Sequence, residues 1–239
     1  MNQAESIEKQ LFSLSEGEAK RKILSSFFKT GKGEYGEGDK FIGVSVPLQR
    51  QLIKQIENIP LSEIKQLLQS PYHECRMTAL LILIKQFRKA KSEQEQNQIY
   101  DFYIANVSYI NNWDLVDLSA PSIVGGYLLN KNRTILYQYA KNENLWIQRI
   151  AIVSTLTFIK QNDFESTFRI AEILLHHKHD LIHKAVGWML REVGKKNYKK
   201  EFSFLQKHYK TMPRTMLRYA IERFDSDIRQ QFLKGEIHL

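Results

Sequence analysis

The sequence contains few of the residues that break helices or cross-link a chain. Its 239 residues include 11 glycines, 5 prolines and a single cysteine, Cys75. So few turn-forming residues disfavour an all-β or linker-rich chain. One cysteine excludes an internal disulfide and fits a reducing compartment, so we expect a cytoplasmic location.

Long apolar runs and common catalytic signatures are also missing. The longest apolar run, 79–84, is far shorter than the roughly 20 residues of a membrane-spanning helix. The opening residues MNQAESIEKQLF carry acidic side chains and lack an apolar core, so we expect no secretory segment. No Gly-x-Ser-x-Gly, His-Glu-x-x-His or zinc-deaminase signature occurs in the sequence.

The formal net charge is +9, and the sequence distributes it unevenly. Residues 1–130 contain 15 basic and 15 acidic side chains, whereas residues 131–239 contain 20 basic and 11 acidic ones. The second half therefore carries the whole excess. A one-sided positive field suits a polyanion, with nucleic acid first and an anionic membrane surface second. The alternative is a basic surface that only keeps the protein in solution.

Nearly every segment has the hydrophobic periodicity of an amphipathic helix. We predict helices over 4–13 and 17–30 and then, in recurring pairs, 47–57 with 61–69, 71–90 with 93–108, 132–141 with 144–161, 163–177 with 179–195, and 198–211 with 213–224. A helix over 112–129 lies between the second and third pairs, and a short helix near 226–234 ends the series.

Several of these helices share a basic residue shortly before a small residue and an apolar run. The pattern occurs at Arg76, Arg149, His183 and Arg218, at intervals of 73, 34 and 35 residues. A period of about 35 residues is typical of stacked helix pairs. The Trp-x-x-Leu-Gly-x-x-Tyr pattern of tetratricopeptide repeats is absent, which favours HEAT-like pairs.

We therefore expect an all-α fold, a right-handed superhelical α-solenoid of HEAT-like helix pairs in one domain over residues 1–239. N-terminal helices and a glycine-rich loop would occupy 1–46, and stacked helix pairs 47–239. Equivalent positions of a solenoid line one curved face, so the anchors Arg149, His183 and Arg218 would form a row with Trp113. The alternative role for each arginine, Arg76 included, is an inter-helix hydrogen bond that stabilises the repeat.

The midpoint of the 73-residue interval between Arg76 and Arg149 falls within the stretch Asn111-Asn112-Trp113-Asp114-Leu115-Val116-Asp117. Either asparagine suits a helix N-cap, and an acidic residue suits the first turn. Trp113 and Asp117 are four residues apart and share a helix face, whereas we expect Asp114 to point elsewhere. An aromatic ring beside a carboxylate suits a pocket that stabilises a cation. The alternative is a core tryptophan and a solvated aspartate.

A second tryptophan lies among basic residues. Lys184, Trp188 and Arg191 are spaced i, i+4, i+7 and share a stripe, with Lys195 and Lys196 close by. A tryptophan flanked by cations suits the face of a sugar or base between phosphate contacts. Trp146, by contrast, is expected to pack between repeats.

Two further segments invite functional interpretations that we do not favour. The glycine-rich loop 31–40 lacks the Lys-Ser/Thr ending of a P-loop and a preceding strand, so a flexible loop near a partner is the better interpretation. The run His176-His177-Lys178-His179 with His183 lacks a nearby cysteine or a carboxylate at ligand spacing. We expect no metal there but a polar turn between helices.

Four elements of the sequence resemble the AlkD-type DNA-alkylation-repair glycosylases. They are Phe41-Ile-Gly-Val-x-x-Pro47, Asn112-Trp113-Asp114-x-Val116-Asp117, Leu145-Trp146-x-x-Arg149-x-Ala151 and Ala185-x-Gly187-Trp188-x-Leu190-Arg191. They follow one another in the family's order over most of the chain. One departure is Gln148, where many relatives have a second basic residue, and this puts one DNA contact in doubt.

The resemblance implies a crescent of HEAT-like repeats and an enzyme that excises cationic N3- and N7-alkylated purines from duplex DNA without needing to extrude the base. It places two active-site tryptophans on Trp113 and Trp188, the catalytic carboxylate on Asp117 and a phosphate-binding arginine on Arg149. We expect DNA contacts from Arg149, Lys184, Arg191, Lys195, Lys196 and Arg218. We expect no cofactor, no metal, no membrane partner and a monomer.

Two other classes of function compete with this expectation. A non-catalytic relative could use the same basic groove to bind branched or bent DNA, but this chain keeps Trp113, Asp117 and Trp188 together. A hydrophobic or acidic concave face would favour a HEAT-like protein scaffold with no nucleic-acid role. The basic second half of the sequence argues against such a scaffold.

Overall fold

The computed structural model describes residues 2–237, and the regular secondary structure in that range is entirely helical. One isolated parallel bridge joins Lys40 to Tyr72. The predicted all-α class is confirmed. The chain divides into two compact units, one ending at Ser119 and the other beginning at Ala120. The expectation of a single repeat domain stays a prediction.

The first unit contains helices that match the predicted segments closely. They are α1 (Gln3–Ser13), α2 (Glu18–Phe27), α3 (Val46–Lys54), α4 (Leu61–Leu68), α5 (His73–Lys89), α6 (Glu93–Ala105) and α7 (Trp113–Ala120), with a 3₁₀ turn at Val107–Tyr109. The last residue of α7 is the first of the second unit.

Helix α5 is the centre of the first unit. Helices α1, α3, α4 and α6 all pack against it, and its residues 73–84 are buried. A helix covered on every side loses the amphipathic stripe and becomes apolar all round, as the run 79–84 is. The polar first turn of α5 is buried as well, which prepares the site described below.

The second unit contains α8 (Thr134–Ala140), α9 (Leu145–Ser154), α10 (Leu156–Lys160), α11 (Glu165–Ile173), α12 (Asp180–Lys196), α13 (Tyr198–His208), α14 (Arg214–Ala220) and α15 (Ser226–Lys234). A π-helical turn at Pro121–Gly125 and a 3₁₀ turn at Ile221–Arg223 complete it. The predicted helix 112–129 changes form at Pro121 because proline has no N–H to continue the α-helical ladder. The predicted helix 144–161 is interrupted at Thr155.

Helix α12 is the centre of the second unit, since α9, α10, α11, α13 and α14 pack against it. Gly187 permits the closest of these approaches. A Cβ atom at this position would lie 2.4 Å from the Met216 carbonyl oxygen and 2.5 Å from the Tyr219 Cβ. Only glycine therefore allows α12 and α14 to pack at this distance.

Of the predicted helix pairs, α5 with α6, α8 with α9 and α11 with α12 pack against each other. Trp146 is buried in the core. The HEAT-like character of the repeats stays a prediction. None of the helices in residues 2–237 combines the length and the apolar character that a membrane span requires.

Candidate functional site in the first unit

The start of α7 is fixed by Asn112, which acts as its N-cap. The Asn112 carbonyl accepts the N–H of Val116 at 3.2 Å, and its side-chain oxygen accepts the N–H of Trp113 at 2.8 Å. The side-chain amide also donates to Asp39 at 3.2 Å. Of the two capping residues that the sequence allowed, the helix uses the second.

Trp113 and Asp117 both line a cavity of about 570 Å³ in the first unit. The predicted sharing of one helix face is therefore confirmed. The expectation that Asp114 points elsewhere was wrong, because Asp114 lines the same cavity. Residues 113, 114 and 117 span an arc of only about 100° on a helix, so all three fit against one opening.

The cavity wall is mostly aromatic and aliphatic. Phe27, Phe28, Phe41, Val44, Pro47 and Met77 contribute to it, and its basic members are Lys20, Arg50 and His73. The indole of Trp113 stacks on Phe28 with centroids 5.4 Å apart and meets Phe27 edge to face at 5.8 Å. Trp113 is half-buried, so one side of the ring is packed while the residue still borders the cavity.

Phe27 is an aromatic ring on the rim of this cavity, and 59% of its surface is exposed. It lies at the end of α2, a helix that has no buried residue. Phe27 and Phe28 were not predicted as site residues, because the apolar pattern of 17–30 looks the same as that of a core helix.

A buried chain of charges lies behind the start of α7. Arg76 donates to Asp39 at 2.6 Å, His73 contacts Asp39 through Nδ1 at 3.2 Å, and the other His73 nitrogen contacts Asp114 at 2.8 Å. The side chains of Asp39, His73 and Arg76 are about 95% buried. This chain links α5 to the first turn of α7, which carries Trp113 and Asp117.

The charge chain sets the protonation of its members. Burial disfavours the His73 cation, but the charge and hydrogen bond of Asp114 and the hydrogen bond of Asp39 outweigh it and raise the pKa of His73 to about 9. Burial works against the Asp39 anion too, yet His73 and Arg76 hold the pKa of Asp39 below its usual value. His73 is therefore an imidazolium at neutral pH.

Arg76 makes hydrogen bonds that stabilise the fold, which is the alternative role considered above for the repeat arginines. Besides Asp39, it donates to the Ser70 carbonyl at 3.1 Å. Asp39 reaches this position because Lys40 and His73 bond through their backbones, with the His73 N–H donating to the Lys40 carbonyl at 2.8 Å. The end of the glycine-rich loop is therefore anchored beside the cavity.

The amides of the glycine-rich loop are occupied by its own acidic side chains. The N–H groups of Gly31 and Gly33 donate to Glu34 at 2.8 Å and Glu37 at 2.7 Å. A phosphate cradle needs such N–H groups to point at a ligand. The loop does not have that arrangement.

The Phe41-Ile-Gly-Val segment owes its form to one buried carboxylate. Glu74 accepts the N–H groups of Ile42, Gly43 and Val44 at 2.9, 2.8 and 3.2 Å. Gly43 has a φ of +90°, a backbone conformation that residues other than glycine rarely adopt. This turn carries Phe41 and Val44 to the cavity wall, which explains the motif physically.

In the second unit, Trp188 is half-buried on α12, and its Nε1 donates to Glu192 at 3.2 Å. The neighbouring cations have acidic partners. Lys184 lies 2.6 Å from Asp180, Lys195 lies 2.6 Å from Glu192, and Arg191 forms an ion pair with Glu222. Lys184, Trp188 and Arg191 lie along α12 at the predicted spacing, but both cations of this stripe form ion pairs. Glu192 was not predicted as a site residue, although its i, i+4 spacing from Trp188 was a usable signal.

The predicted row of anchors is not uniformly exposed. Arg149 is buried and donates to the Leu181 carbonyl, which ties α9 to α12. His183 is half-buried and bonded to the His177 carbonyl, whereas Arg218 is exposed. Arg149 thus makes the inter-helix hydrogen bond that the sequence left open, and its phosphate role stays a prediction. Lys195 and Lys196 are exposed.

The histidine run forms the turn between α11 and α12, as expected. The Nδ1 atoms of His177 and His179 accept the N–H groups of His179 and Leu181 at 3.0 and 3.1 Å. Burial, with repulsion between the histidines, lowers the pKa of both rings. Throughout residues 2–237, no group of three or more potential ligand side chains has the geometry to hold a metal ion.

A surplus of positive charge in a helical chain favours association with a polyanion. The model of the DNA alkylation repair enzyme family matches residues 7–224, so the chain belongs to that family. The predicted family relationship is confirmed.

The fold resembles the solved structure of a predicted DNA alkylation repair enzyme from Enterococcus faecalis. The two chains are 17% identical, with a TM-score of 0.68 over 89% of this chain and 98% of the other. At this identity the likeness concerns the fold. No curated protein matches the sequence.

Proposed function

We propose that the protein is a monofunctional DNA glycosylase that hydrolyses the N-glycosidic bond of cationic N3- and N7-alkylated purines in duplex DNA. The observation that carries the proposal is the shared cavity of Trp113 and Asp117, in which a carboxylate lies beside aromatic rings. Membership of the DNA alkylation repair enzyme family agrees with it.

The proposed chemistry needs few residues. Alkylation at N3 or N7 gives the purine a positive charge, so it leaves with the bonding electrons as a neutral base and needs no general acid. The sugar then develops oxocarbenium character, which an anionic carboxylate stabilises. We assign that role to Asp117. Water adds to C1′ and loses a proton to Asp117 or to solvent, which leaves an abasic site.

Each tryptophan is proposed to attract a cation through the face of its indole. The negative face of an indole attracts a nearby cation. Trp113 is held for this purpose by Phe28 and by the charge chain at the start of α7. Trp188 is proposed to attract a cationic sugar or base in the same way, and the exposed lysines and Arg218 are proposed to contact phosphates.

The test is the release of free alkylpurine from methylated duplex DNA in the presence of a chelator. We expect the wild type to release 7-methylguanine or 3-methyladenine and to leave abasic sites without cutting the strand, and Asp117→Asn to release almost none. No release by the wild type, combined with tight binding to bent or branched duplex, would identify a non-catalytic DNA-binding relative and contradict the proposal.

A further inference from the structure

The indole of Trp188 has a charged hydrogen-bond partner that its proposed role does not yet use. Its Nε1 donates to the Oε1 of Glu192, one turn further along α12, at 3.2 Å. The two residues are spaced i, i+4, the spacing at which helical side chains meet. The contact is thus built into a single rigid helix.

Glu192 is itself held in place. The Lys195 ammonium lies 2.6 Å from the same Oε1, and the Arg191 Nε lies 3.9 Å from it. The Glu192 side chain is only 18% exposed, compared with 43% for Lys195. A carboxylate with two cationic neighbours and little exposure presents its oxygen to the indole in one position.

A second acid of the same cluster does not compete with Glu192 for charge. Burial, with added repulsion from Glu192, raises the pKa of Glu201 to about 9 against the attraction of Arg191. Glu201 is therefore a neutral acid at physiological pH. Of the two acids, Glu192 is the one that contacts the indole.

A carboxylate that accepts an indole N–H changes the ring in two ways. The charge-assisted hydrogen bond fixes the ring orientation. It also polarises the indole, because hydrogen-bonded groups polarise one another, and pushes electron density toward the ring face. A more negative face attracts a cation more strongly.

We propose that Glu192 is a positioning residue for Trp188, whose ring it orients and whose face it makes more attractive to a cationic sugar or base. This inference rests on the proposed glycosylase function. The alternative is that Glu192 is only a partner of Lys195 and Arg191 on the surface of α12.

The chain offers a matched control for the test. Glu192→Gln removes the charge but keeps an oxygen that can accept the indole N–H, and Glu192→Ala removes both. Glu222→Gln removes a carboxylate that pairs with Arg191 in the same cluster and has no hydrogen bond to Trp188 among the described contacts. The three variants are compared by single-turnover excision of 7-methylguanine and by affinity for undamaged duplex.

We expect Glu192→Gln to lower the excision rate about three- to tenfold, and Glu192→Ala to lower it further. Affinity for duplex should be unchanged or higher in both, because Lys195 loses its acidic partner. Glu222→Gln should change affinity in the same direction and leave the excision rate within about twofold of the wild type. A rate for Glu192→Gln equal to that of Glu222→Gln overturns the inference.

Tryptophan fluorescence gives a readout that does not require catalysis. In a Trp113→Phe, Trp146→Phe background the emission comes from Trp188. We expect Glu192→Ala to shift this emission and Glu222→Gln to leave it unchanged. A shift without any change in the excision rate reduces the contact to a structural one and overturns the inference. Failure of the proposed function is distinguishable, since the wild type itself would then release no base.

Discussion

The two compact units of the protein use their charges differently. The unit ending at Ser119 has 15 basic and 15 acidic side chains, whereas the unit beginning at Ala120 has 20 and 11. In the first unit, opposite charges meet in a buried chain behind the cavity of Trp113 and Asp117. In the second, the surplus charge includes exposed Lys196 and Arg218.

A defined pocket and affinity for a polyanion therefore require opposite arrangements of charge. A pocket needs internally compensated charges, because an uncompensated buried charge is costly. Attraction of a polyanion needs charges that the fold has not already neutralised. Variants in the two units should therefore change different measured quantities.

The largest effect is expected from the carboxylate of the first unit. Asp117→Asn should lower single-turnover excision by about 10²- to 10³-fold, the usual cost of losing an electrostatic stabiliser of a transition state. Affinity for undamaged duplex should stay within about threefold of the wild type, as a filter-binding titration would record. An equal loss of both would remove Asp117 from its proposed role.

The next effect concerns the stability of the first unit at alkaline pH. The folded pKa of His73, about 9, exceeds the ordinary value of 6.5, so its contribution is full below about pH 6.5 and is lost as pH rises through 9. That contribution is about 3 kcal/mol. Urea denaturation should show His73→Gln less stable than the wild type at pH 6 and nearly equal at pH 10.

The control for that measurement lies in the second unit. His176 is an exposed histidine, and His176→Gln should follow the wild type at every pH. If His73→Gln lost as much stability at pH 10 as at pH 6, the charge of His73 would not be what stabilises the start of α7.

A smaller effect separates the two arginines of the second unit. Arg149→Leu should lower the free energy of unfolding by about 2 kcal/mol, because the Leu181 carbonyl loses a charged donor. Arg218→Leu, at an exposed position, should cost less than about 0.5 kcal/mol. In salt titrations of duplex binding, we expect Arg218→Leu to reduce the slope. A reduced slope for Arg149→Leu as well would support the predicted phosphate role of Arg149, and an unchanged slope would contradict it.

The smallest effect is expected from exposed lysines. The pair Lys195→Gln and Lys196→Gln should weaken duplex binding about tenfold at 0.1 M salt and lower the slope of log affinity against log salt by about 2. Lys54→Gln with Lys65→Gln, two exposed positions in the first unit, should leave the slope unchanged. Equal slopes for the two pairs of variants would contradict the proposal that duplex affinity depends on the basic residues of the second unit.

Most of the fold was predictable because helical periodicity is a local signal. The ends of α4, α6 and α15 fall within a few residues of the predicted segments. The interruptions at Pro121 and Thr155 were missed because the apolar pattern continues across them. Which helix becomes the centre of a unit is a tertiary property, although the continuously apolar run of α5 was already visible.

The site was predictable only where its residues are close in sequence. Trp113 and Asp117 share one helix face, and spacing alone places them together. Asp39 and His73 lie 34 residues apart, and nothing in their sequence context indicates that they meet. The burial of Arg149 could not be predicted, because a basic residue before an apolar run looks the same whether it faces a phosphate or a carbonyl.

The most direct test of the division between the units is the excision rate as a function of enzyme concentration, measured on one methylated duplex for two variants. A Lys196→Gln and Arg218→Leu pair, at two exposed positions of the second unit, should need more enzyme but reach the wild-type rate at saturation. Asp117→Asn should saturate at the wild-type concentration and remain nearly inactive. If both variants recovered at high concentration, or neither did, chemistry and affinity would not be divided between the two units as proposed.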